Sequence, residues 1–347
     1  MLQGIWKKMG FGDKPLTDTT RKDSSMLFGV AVSIGELIAL KAATRGISLT
    51  SARVKNSSIT GAHASRFRGR GMDYQESRAY QPGDDVRSMD WRVTARAGHP
   101  YVKMYEEERE RPVMLLIDLN PGMFFATRGA FKSVQAVRLA ALIAWAGVAN
   151  GDRIGALVFN GRHQELPPSG GAKGALRLFR LLMAATDPVK GLQSALEHID
   201  NADITDKAGL DSALKRCRRV AKPGSLIFIL SDFYNVTEET SAQLLRLRQH
   251  NDVVAIQLFD PIEVAPPPAG VYGVSDGQQS AVIDTRSTKQ RKRYEKWCTE
   301  HDSIVTEVMR KRAIPLLRLS TAEDAAMALR RFMANPGSST VVTGRAA

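Results

Sequence analysis

Cysteine is scarce in this chain of 347 residues, which contains only Cys217 and Cys298. Two cysteines cannot form a disulfide framework, and these two do not lie at the spacing of a metal-ligating pair. The six histidines are scattered along the chain and form no H-E-x-x-H sequence. These absences exclude a disulfide-stapled scaffold and the common zinc motifs, and they predict a reduced, cytoplasmic location.

Long apolar runs are also missing. The most apolar stretch, residues 26–43, carries Glu36 and Lys41 within a length that only just reaches the minimum of about 18 residues for a membrane span. We therefore expect a strand that runs into an amphipathic helix from Glu36 to Thr44, and no transmembrane segment. The first residues, MLQGIWKKMGFGDKPL, lack the apolar core of a secretory leader. Peripheral contact with a membrane stays open as an alternative.

Basic residues outnumber acidic ones, with 49 Lys and Arg against 36 Asp and Glu and a net charge of +13. The excess is spread along the chain, at +6 over residues 1–112 and +7 over the remainder, with clusters at RFRGR (66–70) and KQRKRYEK (289–296). Such a balance favours acidic partners. A nucleic-acid-binding module is one alternative function, but no recognised binding motif accompanies the charge, so nucleic acid is not the expected partner.

From residue 113 the sequence alternates between short apolar runs and segments with helical spacing. The run VMLLID (113–118) is typical of a buried parallel strand, and SLIFILSD (225–232) repeats the pattern. The alternation predicts an α/β domain over residues 113–335, with an open, mostly parallel sheet and helices on both faces, followed by a flexible tail at 336–347. Further strands are expected at 153–159, 252–260 and 314–320, and helices at 131–149, 174–185, 209–220, 240–250, 288–313 and 322–333.

The first 112 residues lack this rhythm. They hold an N-terminal helix and then an arginine-rich extension that we expect to be irregular or to form short strands, because turn-forming residues are frequent there. The extension contains YQPGDDVRSMDWR (80–92), in which Pro82-Gly83 favours a tight turn and the next aspartates suit the start of a helical turn. Its charges alternate in sign, which predicts bidentate ion pairs, and its large Trp91 is expected to be buried.

This segment allows two interpretations. In the first, it is a salt-bridged structural clamp that fixes the extension to the sheet; in the second, it is a docking surface for a partner. The residues concerned are Asp84, Asp85, Arg87, Asp90, Trp91, Arg92 and Arg96.

The sequence around this segment resembles the bacterial domain-of-unknown-function 58 family. The resemblance covers roughly residues 28–335, and its specific core is Y-x-P-G-D-D-x-R-x-x-D-W-R. It implies a fold similar to von Willebrand factor A domains and a MoxR-type AAA+ ATPase as partner. The implied function is therefore that of a non-enzymatic protein-interaction or chaperone-adaptor protein, acting with such an ATPase in maturation or remodelling of other proteins. Matching residues include Gly69, Gly71, Arg78, Tyr80, Pro82, Gly83, Asp84, Asp85, Arg87, Asp90, Trp91, Arg92, Ala95, Arg96 and Glu108.

The resemblance also implies a place for a metal. Von Willebrand A domains hold Mg²⁺ with a D-x-S-x-S loop, a distant threonine and an aspartate after a later strand. Here Asp118 and Asp232 match the two acids, Asn120 replaces the first serine, Gly122 replaces the second and Ala208 stands near the threonine position. Two interpretations stay open: the acids cap backbone amides at the strand ends, or they hold a weak Mg²⁺ or another divalent cation.

Enzymatic function is a further alternative, in the form of a metal-dependent hydrolase that uses Asp118 and Asp232. Paired acids need a pocket and shifted pKa values to act as general acid and base, and neither can be read from spacing. The sequence thus predicts a non-enzyme without a required cofactor.

Overall fold

The computed structural model describes residues 29–49, 72–107, 112–194, 209–275 and 280–334. These residues form two compact units, one drawn from residues 1–53 and 112–347 and the other from residues 54–111. The expected division placed residues 29–49 with the arginine-rich extension, whereas the structure places them with the α/β unit. The RFRGR cluster, Ala208 and the tail at 336–347 lie outside the described residues.

Regular elements follow the expected alternation closely. The strands are β1 (Met72–Ala79), β2 (Tyr101–Glu107), β3 (Val113–Asp118), β4 (Ile154–Phe159), β5 (His163–Ser169), β6 (Leu226–Ser231), β7 (Asp252–Phe259), β8 (Val271–Ser275), β9 (Ser280–Asp284) and β10 (Leu316–Ser320). The helices are α1 (Ile34–Ala43), α2 (Trp91–Ala97), α3 (Lys132–Ala149), α4 (Gly171–Ala185), α5 (Leu210–Val220), α6 (Glu238–Arg248), α7 (Pro261–Val264), α8 (Thr288–Lys311) and α9 (Ala325–Ala334).

The main sheet has the strand order β10-β7-β6-β3-β4-β5. All its neighbouring strands are parallel except β4 and β5, which pair antiparallel. The expectation of an open, mostly parallel sheet with helices on both faces is therefore confirmed. Every residue of β3, β4 and β6 is buried, which is why these strands are apolar throughout instead of alternating.

Each face of the sheet has its own core. Along β3, Leu115 and Ile117 pack into the core formed with α1, α3, α4 and α9. Met114 and Leu116 point the other way, into the core formed with α5, α6 and α8. Because successive side chains of a strand alternate between faces, one short apolar run serves both cores.

Two β elements were not expected. The edge strand β5 has the sequence HQELPPS. Its polar residues and two prolines do not form the apolar pattern that indicates a strand. Proline lacks a backbone donor and is tolerated at a sheet edge, so this position is physically consistent. The hairpin of β8 and β9 pairs Val271 with Asp284 and Ser275 with Ser280, beyond the proline-rich loop after β7.

The charges within the apolar N-terminal stretch have structural roles in α1. Ser33 caps the helix by accepting a hydrogen bond from the Glu36 amide at 3.1 Å, so the helix begins just before Glu36. Glu36 pairs with Arg138 of α3 at 2.6 Å. The Lys41 ammonium lies 5.2 Å from the centre of the Trp145 ring. Among the described residues, no helix combines the length and apolarity that crossing a membrane requires.

We predict that Phe228→Ala in β6 lowers the free energy of unfolding by about 3–5 kcal/mol, because Phe228 is fully buried and its removal leaves a cavity. Met327→Ala on α9 is the control, since Met327 is 59% exposed and its truncation is expected to change the same quantity by at most about 0.5 kcal/mol. Chemical denaturation of both variants measures the difference. Equal losses would contradict the placement of β6 in the core.

Candidate functional site

Acidic residues meet at the carboxyl edge of the main sheet. Asp118 is the last residue of β3, Asp232 directly follows β6, and Asp260 directly follows β7. These strands are parallel neighbours, so their carboxyl ends lie side by side. Chain segments far apart in sequence thus bring their carboxylates to one edge.

The Asp118 carboxylate is only 4% exposed, and both its oxygens accept hydrogen bonds. Its Oδ1 accepts from the Asn120 amide at 2.9 Å, and its Oδ2 accepts from the Ser231 hydroxyl at 2.7 Å. Burial and the nearby charge of Asp232 raise the pKa of Asp118 to about 7, although these hydrogen bonds oppose the shift. Asp118 therefore titrates near neutral pH.

A buried lysine compensates Asp232. Lys132, the first residue of α3, is 1% exposed, and its Nζ lies 3.2 Å from Asp232 Oδ2 and 2.7 Å from Glu263 Oε1. Asp232 Oδ1 accepts from the Tyr234 amide at 3.1 Å, so both oxygens of this carboxylate are also engaged. Burial alone would lower the pKa of Lys132, but Asp232 and Glu263 outweigh it and raise that pKa above its ordinary value. The ammonium is therefore held in its charged form.

Asp260 extends this network along the edge. It is fully buried and accepts hydrogen bonds from the backbone amide and hydroxyl of Thr127, at 2.7 and 2.6 Å, and from the Thr321 hydroxyl at 2.9 Å. Its carboxylate also caps α7 by accepting from the Ile262 amide, while Glu263 Oε2 accepts from the Asp260 amide at 2.8 Å. This reciprocal capping box joins Asp260 to the Lys132 ion pairs.

The loop that resembles a metal-binding loop lies at this edge but does not present metal ligands. Gly122 has no side chain, and a Cβ built on it would lie 3.0 Å from Asp232 Oδ2, the oxygen that accepts from Lys132. Asn120 contributes its backbone amide to Asp118. Both carboxylates already accept protein hydrogen bonds, and an ammonium stands beside one of them. This donor set does not fit a divalent cation, which requires several free oxygen ligands.

Aromatic side chains border the same edge. Tyr234 lies 6.1 Å from Trp297 and 5.1 Å from His301 between ring centres, and the Trp297 and His301 rings are nearly parallel. With Asp232 and Glu263 they line a small depression. Burial lowers the pKa of His301, which favours its neutral form.

In the smaller unit, the aspartates of YQPGDDVRSMDWR serve local structure. Asp84 pairs with Arg78 at 2.7 Å. Asp85 caps the 3₁₀ turn that follows it, by accepting from the Arg87 amide at 2.9 Å. Asp90 is buried and caps α2, and it also accepts from the Ser77 hydroxyl of β1 at 2.9 Å. The predicted capping role of Asp85 thus appears in the geometry.

The expected ion pairs with the neighbouring arginines differ from what the structure shows. Within the described part of the chain, the side chains of Arg87, Arg92 and Arg96 have no ion pair or hydrogen bond, and all three are exposed. Trp91 was expected to be buried, but it is 66% exposed. The reason is that backbone capping takes up Asp85 and Asp90, which leaves the arginines and the tryptophan to solvent.

Sequence reasoning missed Lys132, Asp260 and Glu263. A signal for the two acids was present, because the strand DVVAIQLFD ends in an aspartate, as the other two predicted site strands do. The spacing of Asp260 and Glu263 matches a capping box followed by a helical turn. Lys132 offered no such signal, since a lysine in the first turn of a helix is ordinarily solvent-exposed.

The sheet and its edge thus define an α/β protein whose strand-end acids are bonded within the protein. The chain belongs to the family described as protein of unknown function DUF58, whose model matches residues 76–304. Uncharacterised proteins of Mycobacterium tuberculosis and Mycobacterium bovis are 29% identical to it over 298 residues, which cover 85% of this chain and 89% of theirs.

Two solved structures overlap parts of the chain. An aerotolerance-related membrane protein of Bacteroides fragilis matches 65% of this chain and 98% of its own, with 16% identity and a TM-score of 0.39. The manganese-loaded TRAP protein of Plasmodium vivax matches 43% of this chain and 57% of its own, with 14% identity and a TM-score of 0.25.

We predict that Asp118 makes stability depend on pH. A carboxyl whose pKa is raised from 3.8 to about 7 on folding stabilises the folded state at low pH, and this contribution is lost as the pH rises through about 7. The free energy of unfolding of the wild type, relative to Asp118→Asn, should fall by about 2–4 kcal/mol between pH 4 and 8. Denaturation curves across that range measure it, and parallel profiles for the two proteins would contradict the raised pKa.

Proposed function

We propose that this protein is a non-catalytic interaction protein that works with a MoxR-type AAA+ ATPase in the maturation or remodelling of other proteins. Membership of the DUF58 family supports an interaction role, and the ATPase partner follows from the resemblance described above. The observation that carries the proposal is the exposed surface of the signature segment, formed by Val86, Arg87, Trp91, Arg92 and Arg96 and called here the docking surface.

The composition of the docking surface is that of a binding hot spot. Tryptophan and arginine dominate the energetics of protein interfaces, because they combine large contact area with directional hydrogen bonding. Here Trp91 and Val86 are 66% and 56% exposed. Arg92 and Arg96 lie four residues apart, on the same side of α2. Burying the exposed Trp91 ring against a partner would remove apolar surface from water, which favours binding.

The charge of the docking surface indicates the chemistry of the partner. The docking surface carries three arginines, whereas Asp84 is paired with Arg78 and Asp90 is buried. Asp85 is the one carboxylate of the segment that is exposed, so positive charge predominates there. Arginine forms bidentate pairs with carboxylates. We therefore expect an acidic patch on the ATPase, with an apolar pocket that receives the Trp91 ring.

The alternative of a metal-dependent hydrolase could draw on the raised pKa of Asp118 and on the depression that Asp232 lines, but the contacts of the two acids oppose it. Asp118 is buried, and Asp232 is bound by Lys132 and the Tyr234 amide. A general base must reach a proton on the substrate, and a metal must keep a free position for it. The contacts of these acids provide neither.

The proposal predicts that Trp91→Ala and Arg92→Glu/Arg96→Glu each weaken the affinity for the MoxR-type ATPase by at least tenfold, corresponding to about 1.4 kcal/mol. The matched control is Arg177→Glu/Arg180→Glu, which makes the same charge change at exposed positions of α4. Isothermal titration with the purified ATPase measures the affinities. Its rate of ATP hydrolysis, with and without this protein, provides a second readout.

Three outcomes would contradict the proposal. The first is the absence of both binding and any effect on ATP hydrolysis. The second is an equal loss of affinity in the α4 control, which would indicate a response to net charge alone. The third is salt-dependent binding of nucleic acid in a gel shift that is abolished by Arg92→Glu/Arg96→Glu, which would assign the docking surface to phosphate recognition instead.

A further inference from the structure

Lys132 occupies a distinctive position at the carboxyl edge. It begins α3, yet its side chain is buried and its Nζ lies between Asp232 and Glu263, at 3.2 and 2.7 Å. The Asp232 oxygen that accepts from this ammonium is also the one nearest to Gly122, where a Cβ would lie 3.0 Å away. The loops after β3, β6 and β7 therefore converge on the point that the ammonium occupies.

We propose that the Lys132 ammonium is a built-in cation: it holds the position beside Asp232 that a divalent metal would take, and this edge of the sheet works without metal. The inference is independent of the docking surface, which belongs to the other compact unit.

Electrostatics supports this assignment. A buried ammonium needs compensating negative charge, and the partly buried carboxylates of Asp232 and Glu263 supply it through direct hydrogen bonds from Lys132. A metal entering beside Asp232 would meet a positive charge within a few ångströms and would have to displace an ammonium that is already bound. A free ion loses translational entropy when it binds, whereas the ammonium does not because it is covalently attached to the chain.

The spacing of Asp232 and Glu263 around the ammonium predicts what would bind there if the ammonium were removed. Oxygens that share a cation at about 3 Å need only small movements to reach the metal–oxygen distances of about 2.1–2.4 Å for hard divalent ions. Such ions are commonly bound by one or two carboxylates with water completing the shell. Loss of Lys132 should therefore open a divalent-cation site at this edge.

The test compares the wild type with Lys132→Ala, and with Lys132→Met, which keeps the side-chain length without the charge. Mn²⁺ is the probe, measured by isothermal titration and by the shift in melting temperature at millimolar concentration. We expect no site-specific binding to the wild type. Either variant should bind Mn²⁺ and melt at higher temperature with it, and Lys132→Ala/Asp232→Asn should lose this response.

The remaining outcomes each support or overturn the proposal that Lys132 takes the place of a metal. Binding of Mn²⁺ to the wild type that is lost in Asp232→Asn overturns the proposal, as does a folded Lys132 variant that binds no metal. A variant that folds only when Mn²⁺ is present supports it, because the metal then replaces the ammonium. Failure of both variants to fold even with Mn²⁺ counts against it, since the added cation should restore the compensation.

Discussion

The ion pairs of Lys132 with Asp232 and Glu263 are the constraint on which the carboxyl edge of the sheet depends. Two parallel strands bring Asp118 and Asp232 to adjacent ends, and like charges placed so close are unfavourable without a compensating charge. The ammonium resolves this conflict from inside the protein. It also connects α3, a helix whose residues are mostly buried, to the segments that follow β6 and β7. One side chain thus joins the segments that follow β6 and β7.

Hydrogen bonds connect the ion pairs of Lys132 to β10, the strand at one edge of the sheet. Glu263 accepts a hydrogen bond from the Asp260 amide. The Asp260 carboxylate in turn accepts hydrogen bonds from the hydroxyls of Thr127 and Thr321. Thr321 directly follows β10, the outermost strand on that side. The ends of strands that are not neighbours are thereby tied together by side chains, beyond what the strand pairing itself provides. These side-chain contacts hold the strand ends in fixed positions relative to one another.

Much of the fold could be predicted from the sequence, because buried parallel strands and amphipathic helices leave strong patterns. The runs VMLLID and SLIFILSD show their burial on both faces directly. The edge strand β5 did not, because an edge strand tolerates polar residues and proline. At the site, the strand-end acids were visible, but their partners were not. The pairing of Lys132 with Asp232 joins residues 100 positions apart. Trp91 resembles a core residue in size, but size does not tell which side of α2 faces water.

The smaller unit is inserted into the chain between α1 and β3, so it has two covalent connections to the α/β unit. A force applied to the smaller unit would be divided between them. One share would arrive at α1, on the outside of the sheet. The other would arrive at the start of β3, which is hydrogen-bonded to β4 and β6 along its whole length. A strand pulled along its own axis must break these bonds together, so the insertion is anchored on this side to a strand that is held by a neighbour on each edge.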